Sequence, residues 1–454
     1  MFDKKVLVAG CGKSGISASA LLARNGEKVI LYDENTNIDK SKLMGHFDDV
    51  SGRENIELHI GELTSDIINQ CELMVISPGI PVDKEFVLKV KEAGLPVWSE
   101  IELAYHYEKG TVAAITGTNG KTTTTTLVGE IIKEHNSKTI VVGNIGIPYT
   151  GLADKTVNDS VTVAEISSFQ LETIIDFKPK VSAILNVTPD HLDRHFTFEN
   201  YAKAKLNITK NQCEDDYVVL NYDDPETVKL ADRIKAKIIY FSRMTKLDEG
   251  VYVDRDDILI RENGVVKKVL SLKDIKLLGT HNVENVLAAV AITYYMGVPV
   301  DVIEKVCIDF QGVEHRIEFV KTINGVAYYN DSKGTNPDAA IKAIKAMTTT
   351  TFLIGGGYDK GASYDEWVDC FPAKVKYLVL IGKTADAIAL CAKQHGFYSI
   401  VKMDTLEEAV QFCYNNARPG DAVLLSPACA SWDMFKSYEQ RGDMFKQYVK
   451  KLEE

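Results

Sequence analysis

The sequence predicts an α/β protein of three domains, and three observations carry that reading. Short runs of Val, Ile and Leu alternate with helix-length amphipathic stretches almost from end to end, the rhythm restarts twice, and glycine-rich turns stand at two of the strand-to-helix junctions. Continuous apolar runs, rather than strict alternation, mark strands covered on both faces, as in parallel sheets. Three successive βα series imply three α/β domains, and 454 residues give each about the usual 150.

In chain order, the first series places strands at 5–9, 28–32 and 73–76, each followed by turn chemistry and a helix-length segment. The second restarts at 112–116 and continues at 139–142, 161–165 and 181–186. The third has strands at 326–330, 351–354, 377–381 and 422–425. Boundaries fall near 96–100 and 312–316, giving domains 1–98, 99–312 and 313–454. A charged, turn-rich stretch, 248–276, reads as a small β excursion inside the middle domain.

Composition excludes several function classes. Hydrophobic residues at 45% and charged residues at 26% are the mixture of a globular protein, not of a disordered or fibrous chain. A formal net charge of −12 argues against nucleic acid as the main partner. No apolar run approaches the roughly 18 residues that span a bilayer, and residues 1–5 lack a signal-peptide pattern, so the expectation is a cytoplasmic protein without membrane insertion. The eight cysteines are scattered with no CxxC pair, which reads as reduced thiols.

Two loops carry chemistry. Gly10-Cys11-Gly12-Lys13-Ser14-Gly15 follows the first strand and opens a helical stretch, a G-x-G-x-x-G in the context that lets backbone amides and a helix N-terminus meet a diphosphate. Asp33, at the end of the second strand, is placed to accept from a ribose hydroxyl. This loop fits a dinucleotide, and hence a nicotinamide-dependent dehydrogenase, as well as a UDP-linked ligand. The second loop, Thr116-Gly117-Thr118-Asn119-Gly120-Lys121-Thr122, is a short variant of the phosphate loop. Its amides would cradle phosphate oxygens, the Lys121 ammonium would reach the terminal phosphates, and the Thr122 hydroxyl would ligate Mg²⁺. Asn144, Glu165 and His191 all follow strands of the same series, at the sheet edge where ligands bind, and a carboxylate such as Glu165 suits Mg²⁺.

Together the stretches 116–122, 165–170, 186–191, 279–285, 312–316 and 330–337 resemble the Mur ligases, ATP-dependent amino-acid ligases of peptidoglycan precursor synthesis, in family order over essentially the whole chain. Ser426-Pro427-Ala428-Cys429-Ala430-Ser431-Trp432-Asp433 and Glu439-Gln440-Arg441-Gly442 resemble the branch that adds D-glutamate. The resemblance implies an N-terminal Rossmann-like UDP-binding domain, a central P-loop ATPase domain and a C-terminal Rossmann-like domain that binds the amino acid. It implies ATP and two Mg²⁺ ions as cofactors, UDP-N-acetylmuramoyl-L-alanine and D-glutamate as small-molecule substrates, and a monomer.

The resemblance also implies roles. Lys121, His191 and Lys205 would be catalytic, and Thr122, Glu165, His191 and a carbamate on Lys205 would hold metal. Gly117, Thr118, Asn119, Gly120, Lys121, Thr122, Thr123, Asn282, Asn285, Arg316 and Asp331 would contact ATP. Gly12, Ser14, Asp33, Ser77, Gly79, Asn144, Ser167 and Gln170 would hold the UDP substrate, and Thr335, Lys360, Ser431 and Tyr438 would hold D-glutamate. Read from the residues alone, Lys205 is a solvated helix lysine. A sister ligase adding another amino acid, a nucleotide switch and a dehydrogenase remain as alternatives.

Overall fold

The computed structural model describes residues 2–144, 146–358 and 361–452. Among them, helices and strands alternate into three sheets, and the chain divides into two compact units: Met1–Asp274 with Val283–Ile308, and Ile275–Asn282 with Asp309–Glu454.

The first sheet is five-stranded and parallel, in the order Ile56–Ile60, Val29–Asp33, Lys5–Ala9, Cys71–Ile76, Val97–Ser99. Its strand order reverses at Lys5–Ala9, which makes the carboxyl end of that strand a ligand-binding position. The second sheet has nine strands. Thr111–Thr116 sits inside it between Val181–Ile184 and Val161–Glu165, with Thr139–Gly143 at one edge. The turn-rich stretch expected as a β excursion forms Gly250–Asp254, Asp257–Glu262 and Val265–Ser271, an antiparallel meander that extends this sheet at its other edge. These two sheets share one continuous core in the first unit. Helix Glu100–Tyr107, directly after the first sheet, buries Ile101, Leu103 and Ala104 in it. Glu102 of that helix is fully buried and accepts the backbone N–H groups of Ile175, Asp176 and Phe177 at 2.7–3.0 Å, fastening the helix to a loop of the second sheet.

The second unit is built on a six-stranded sheet in the order Glu318–Ile323, Val326–Asn330, Ala422–Leu425, Thr351–Gly355, Val375–Leu380, Ile400–Lys402. All pairs are parallel except the first, an antiparallel hairpin. Apolar residues from both faces of the sheet enter two clusters, around Trp367 and Leu378 on one side and Phe352 and Phe445 on the other. Burial on both faces explains why these strands read as unbroken apolar runs. Among the described residues no helix is long and apolar enough to cross a membrane, and all eight cysteines are free.

Candidate active site

At the switch point of the first sheet, the glycine loop, the end of Val29–Asp33 and the 77–80 loop line a cleft of about 340 Å³. Gly12, Ser14, Asp33, Ser77 and Gly79 all face it. The glycines are required by close approach: a Cβ on Gly15 would lie 1.7 Å from the Gly10 carbonyl oxygen, and one on Gly10 (φ +102) would lie 2.7 Å from Ser77 Oγ. The Asp33 carboxylate is already at work on the protein, accepting the Cys11 N–H at 2.9 Å and the Asn35 N–H at 3.0 Å. It shapes the loop as well as facing the cleft. Among the described residues the buried Ser77 hydroxyl has no hydrogen-bond partner, which leaves it to a ligand.

Asn144, Ser167 and Gln170 do not line that cleft; they lie at the carboxyl edge of the nine-stranded sheet. Gln170 is buried and its amide is committed, the oxygen accepting from Ser167 N–H and Oγ at 2.8 and 2.9 Å and the nitrogen donating to Glu100 at 2.6 Å. Burial pushes the Glu100 carboxyl up to about 7, well above the usual carboxylate range. The folded protein therefore keeps a proton that the unfolded chain releases near pH 4.5, and loses it as pH rises through about 7. That contribution to stability is fully present below about pH 4.5 and is lost by about pH 7. Glu100→Gln should flatten the dependence, removing up to about 3 kcal/mol of the change between these limits in paired urea titrations of variant and parent.

The phosphate loop leaves Thr111–Thr116 and turns into helix Lys121–His135 at Gly120, whose φ of +84 favours glycine. A Cβ there would also lie 2.2 Å from Asn285 Oδ1, so Asn285 is packed directly against the loop. Asn186 clamps the loop from the neighbouring strand end, accepting Asn119 N–H at 2.8 Å and donating to Asn119 O at 3.1 Å. The Lys121 ammonium folds onto its own loop, donating to the carbonyls of Gly117 at 2.9 Å and Thr118 at 3.0 Å. Thr122 and Thr123 follow in the first turn of the helix, where free amides point at the loop.

Glu165 ends the adjacent strand, opposite Ile115. It is 1% exposed, and Asn144 Nδ2 donates to one oxygen at 2.9 Å while the other, Oε2, has no partner among the described residues. A buried carboxylate oxygen left open beside a phosphate loop fits a hard divalent cation, which takes oxygen ligands. His191 is half-exposed, sits in the left-handed region at φ 51, and lies edge-on to Phe169 with ring centres 4.9 Å apart.

Lys205 overturns its reading as a solvated lysine. Helix Phe198–Leu206 turns it inward, leaving 1% of it exposed, with Nζ donating to the Gly117 carbonyl at 2.8 Å and standing 4.5 Å from the centre of the Tyr201 ring. Burial, and then the nearby Lys121 ammonium, push its pKa down to about 6. Its amine is therefore mostly neutral at pH 7. Tyr201, not singled out from the sequence, ties this corner together through a 3.2 Å contact between its hydroxyl and Thr118 Oγ1. His195 was also missed. It is buried and held by Ser168 Oγ at 3.0 Å, with burial lowering its pKa so that the neutral ring is favoured.

In the second unit the carboxyl ends of Val326–Asn330 and Ala422–Leu425 carry Asp331 and Thr335, and Ser431, on adjacent loops. Lys360 lies outside the described residues. Asp331 is buried, accepting Ser426 Oγ at 2.7 Å and Ile317 N–H at 3.3 Å, and burial raises its pKa to about 7. Its grip on Ile317 matters because His315 (φ 62) and Ile317 (φ 45) put a positive-φ residue on each side of Arg316, a costly conformation for a β-branched side chain. Asn282, in the first turn of helix Thr280–Tyr295, donates to Leu278 O at 2.7 Å. Tyr438 opens helix Tyr438–Lys451 from its N-cap Ser437.

Arg441, one turn into that helix, was not singled out as a site residue, yet it joins these loops. It is 1% exposed and donates to Ser332 Oγ and O at 3.0 and 2.8 Å, to Cys429 O at 3.2 Å and to Ala430 O at 3.4 Å. Arg441→Ala should leave these carbonyls unpaired and open a cavity, costing the second unit roughly 3 kcal/mol in urea denaturation.

The Mur ligase middle domain matches residues 115–293, the Mur ligase glutamate ligase domain 315–429, and the MurD-like N-terminal domain 4–99. A protein of Lachnoclostridium phytofermentans named UDP-N-acetylmuramoylalanine–D-glutamate ligase is 52% identical over 452 residues, 99% of both chains. The chain belongs to the Mur ligase family. A second such ligase, from Lachnospira eligens, is 53% identical over 450 residues, again 99% of each chain. Among solved structures, Thermotoga maritima MurC aligns over 99% of this Mur ligase and 100% of its own chain with a TM-score of 0.58 at 19% identity. Thermotoga maritima MurF in complex with ADP aligns over 95% and 97% with a TM-score of 0.56 at 16% identity. These structural likenesses establish the shared three-domain α/β fold.

Proposed function

We propose that this Mur ligase joins the L-alanyl carboxylate of UDP-N-acetylmuramoyl-L-alanine to the amine of D-glutamate, converting ATP to ADP and phosphate. The observation that carries this reading is identity of about half over the full length to ligases named for that reaction. A dehydrogenase would leave the phosphate loop, the inward lysine and the open Glu165 oxygen without a task.

A carboxylate is a poor electrophile, and phosphorylation gives it a leaving group. In the first step a carboxylate oxygen of the UDP substrate attacks the γ-phosphorus, the bond to the β–γ bridging oxygen breaks, and ADP departs. In the second, the D-glutamate nitrogen attacks the acyl carbon of the acyl phosphate, loses its proton, and phosphate leaves as the amide forms. Gly12, Ser14, Asp33, Ser77 and Gly79 hold the UDP moiety in the first cleft, and Asn144, Ser167 and Gln170, at the carboxyl edge of the nine-stranded sheet, meet the part of the substrate that extends beyond it. Amides of 117–123 receive the phosphates, Lys121 swings from its loop carbonyls to them, and Asn282, Asn285, Arg316 and Asp331 accommodate the rest of the nucleotide. Thr335, Lys360, Ser431 and Tyr438 bind D-glutamate, whose two carboxylates suit hydroxyl and ammonium donors.

Thr122, Glu165, His191 and Lys205 as its carbamate would hold two Mg²⁺ ions, which would supply neutralisation of phosphate charge. The neutral Lys205 amine is the form that adds CO₂, and the adduct turns a buried neutral group into an anion beside the same loop. Catalysis is then mainly positioning and charge compensation. The enzyme acts in the cytoplasm as a monomer.

The deciding experiment measures phosphate release from Mg-ATP with UDP-N-acetylmuramoyl-L-alanine, adding D-glutamate, L-glutamate, L-lysine and L-alanine separately. Release that needs both the UDP-sugar and D-glutamate is expected. Release with a different amino acid would transfer the chain to a sister activity, and ATP binding without release would favour a nucleotide switch.

A further inference from the structure

Away from every residue discussed above, two neighbouring helices of the second unit bring four potential ligands together. Helix Asp365–Asp369 offers Asp365 and Asp369 one turn apart, and helix Ala385–Gln394 with its C-cap His395 offers Cys391 and His395 one turn apart. The spacing is four residues in both cases, so each pair projects from one helix face toward the other. His395 Nε2 lies 2.9 Å from Asp365 Oδ1, and Cys391 Sγ lies 3.6 Å from the same oxygen. The three candidate ligand atoms of Asp365, Cys391 and His395 all fall within 4.8 Å of one another.

From these contacts we infer that Asp365, Cys391 and His395 form a binding site for a thiophilic divalent transition metal, of which Zn²⁺ is the type, with water in the fourth position. A tetrahedral zinc centre with ordinary bond lengths places its N, O and S ligands roughly 3.4–3.6 Å apart. The sulfur–oxygen separation already has that value, and the nitrogen–oxygen pair needs to open by about half an ångström. The donor set is mixed thiolate, imidazole and carboxylate, which selects zinc-like ions over the Mg²⁺ used elsewhere in the molecule.

The fourth residue gives the arrangement its direction. Asp369 Oδ1 lies 2.7 Å from His395 Nδ1, so a carboxylate holds the imidazole by the nitrogen facing away from the three-ligand cluster. That is the outer-sphere contact which metal-bound histidines ordinarily make, and it fixes the tautomer with Nε2 free to ligate. Ser363 Oγ donates to the other oxygen of Asp365, orienting that carboxylate in turn. With two aspartates and one thiol around a single imidazole, a divalent cation also relieves the local excess of negative charge. The same contacts would form if His395 were an imidazolium bridging two aspartates while the Cys391 thiol donated to Asp365 Oδ1, and thiolate ligation is what separates the two accounts.

The test is a titration of the full chain, stripped with chelator and held in saturating Mg²⁺, with Co²⁺ as the spectroscopic probe and Zn²⁺ as competitor. One equivalent of Co²⁺ should produce a thiolate-to-metal charge-transfer band that Zn²⁺ abolishes. The band should vanish in Cys391→Ser and in His395→Ala, and persist in Cys213→Ser, which alters an exposed thiol elsewhere. Asp369→Asn should weaken binding about 10–100-fold while keeping the band. Zn²⁺ should also raise the urea midpoint of the parent and not of Cys391→Ser, which separates binding from a folding defect. Absence of the band in the parent, or a band that survives Cys391→Ser, would overturn the site and leave the imidazolium bridge as the account.

Discussion

Lys121→Ala is expected to lower the rate of D-glutamate-dependent phosphate release by about 10³-fold, the scale on which preorganised donors at developing charge act. In the protein without substrate, Lys121 makes two hydrogen bonds to its own loop carbonyls. Losing these on a partly buried loop should change stability little, so the urea midpoint should stay within about 1 kcal/mol of the parent. The pairing of a large kinetic loss with a small stability loss is the informative result. A variant retaining near-normal turnover would remove the phosphate loop from the reaction and with it the ligase mechanism.

Lys205→Ala should lower turnover by at least about 10²-fold, and added short carboxylates such as acetate or formate should restore part of it by standing in for the proposed carbamate. Rescue is expected because truncation opens space at a buried position close to the Lys121 ammonium, which can pair with a small carboxylate. The parent should show a related dependence on pH and CO₂. With its pKa pushed down to about 6, the amine is protonated at pH 5 and neutral at pH 8, so at matched concentrations of dissolved CO₂ activity after CO₂ depletion should recover faster at the higher pH. Full activity in Lys205→Ala without any added carboxylate would overturn the role.

What reached the sequence and what did not follows from range. The glycine loop, the phosphate loop and the strands with unbroken apolar runs are local signals, and the motifs stand in an order that carries the family. Strands such as Ile56–Ile60, Lys237–Ser242 and Ile400–Lys402 were not foreseen, because each is only partly buried and mixes polar residues into the run. The meander 250–271 was foreseen because its turns are rich in Gly, Asn and Asp.

Within the site, the sequence placed Glu165 and His191 at strand ends, since that position follows from the βα rhythm. It could not show that Lys205 is buried. A helix of nine residues with alternating Ala and Lys has no strong apolar face of its own, and the side that turns inward is chosen by what lies beneath it. Arg441 is similar: a charged residue in a hydrophilic helix, buried only because carbonyls from the 332 and 429–430 loops converge on it.

The sequence by itself determined the fold class, the family and the two glycine-bearing strand-to-helix loops, because each is written in contiguous residues whose backbone geometry their own chemistry dictates. The tertiary structure alone decided which lysine loses its proton, which carboxylate oxygen stays unpaired, which arginine holds the loops, and where a thiol, an imidazole and a carboxylate meet. Those properties are set by desolvation and by contacts between residues far apart in the chain, and packing creates them.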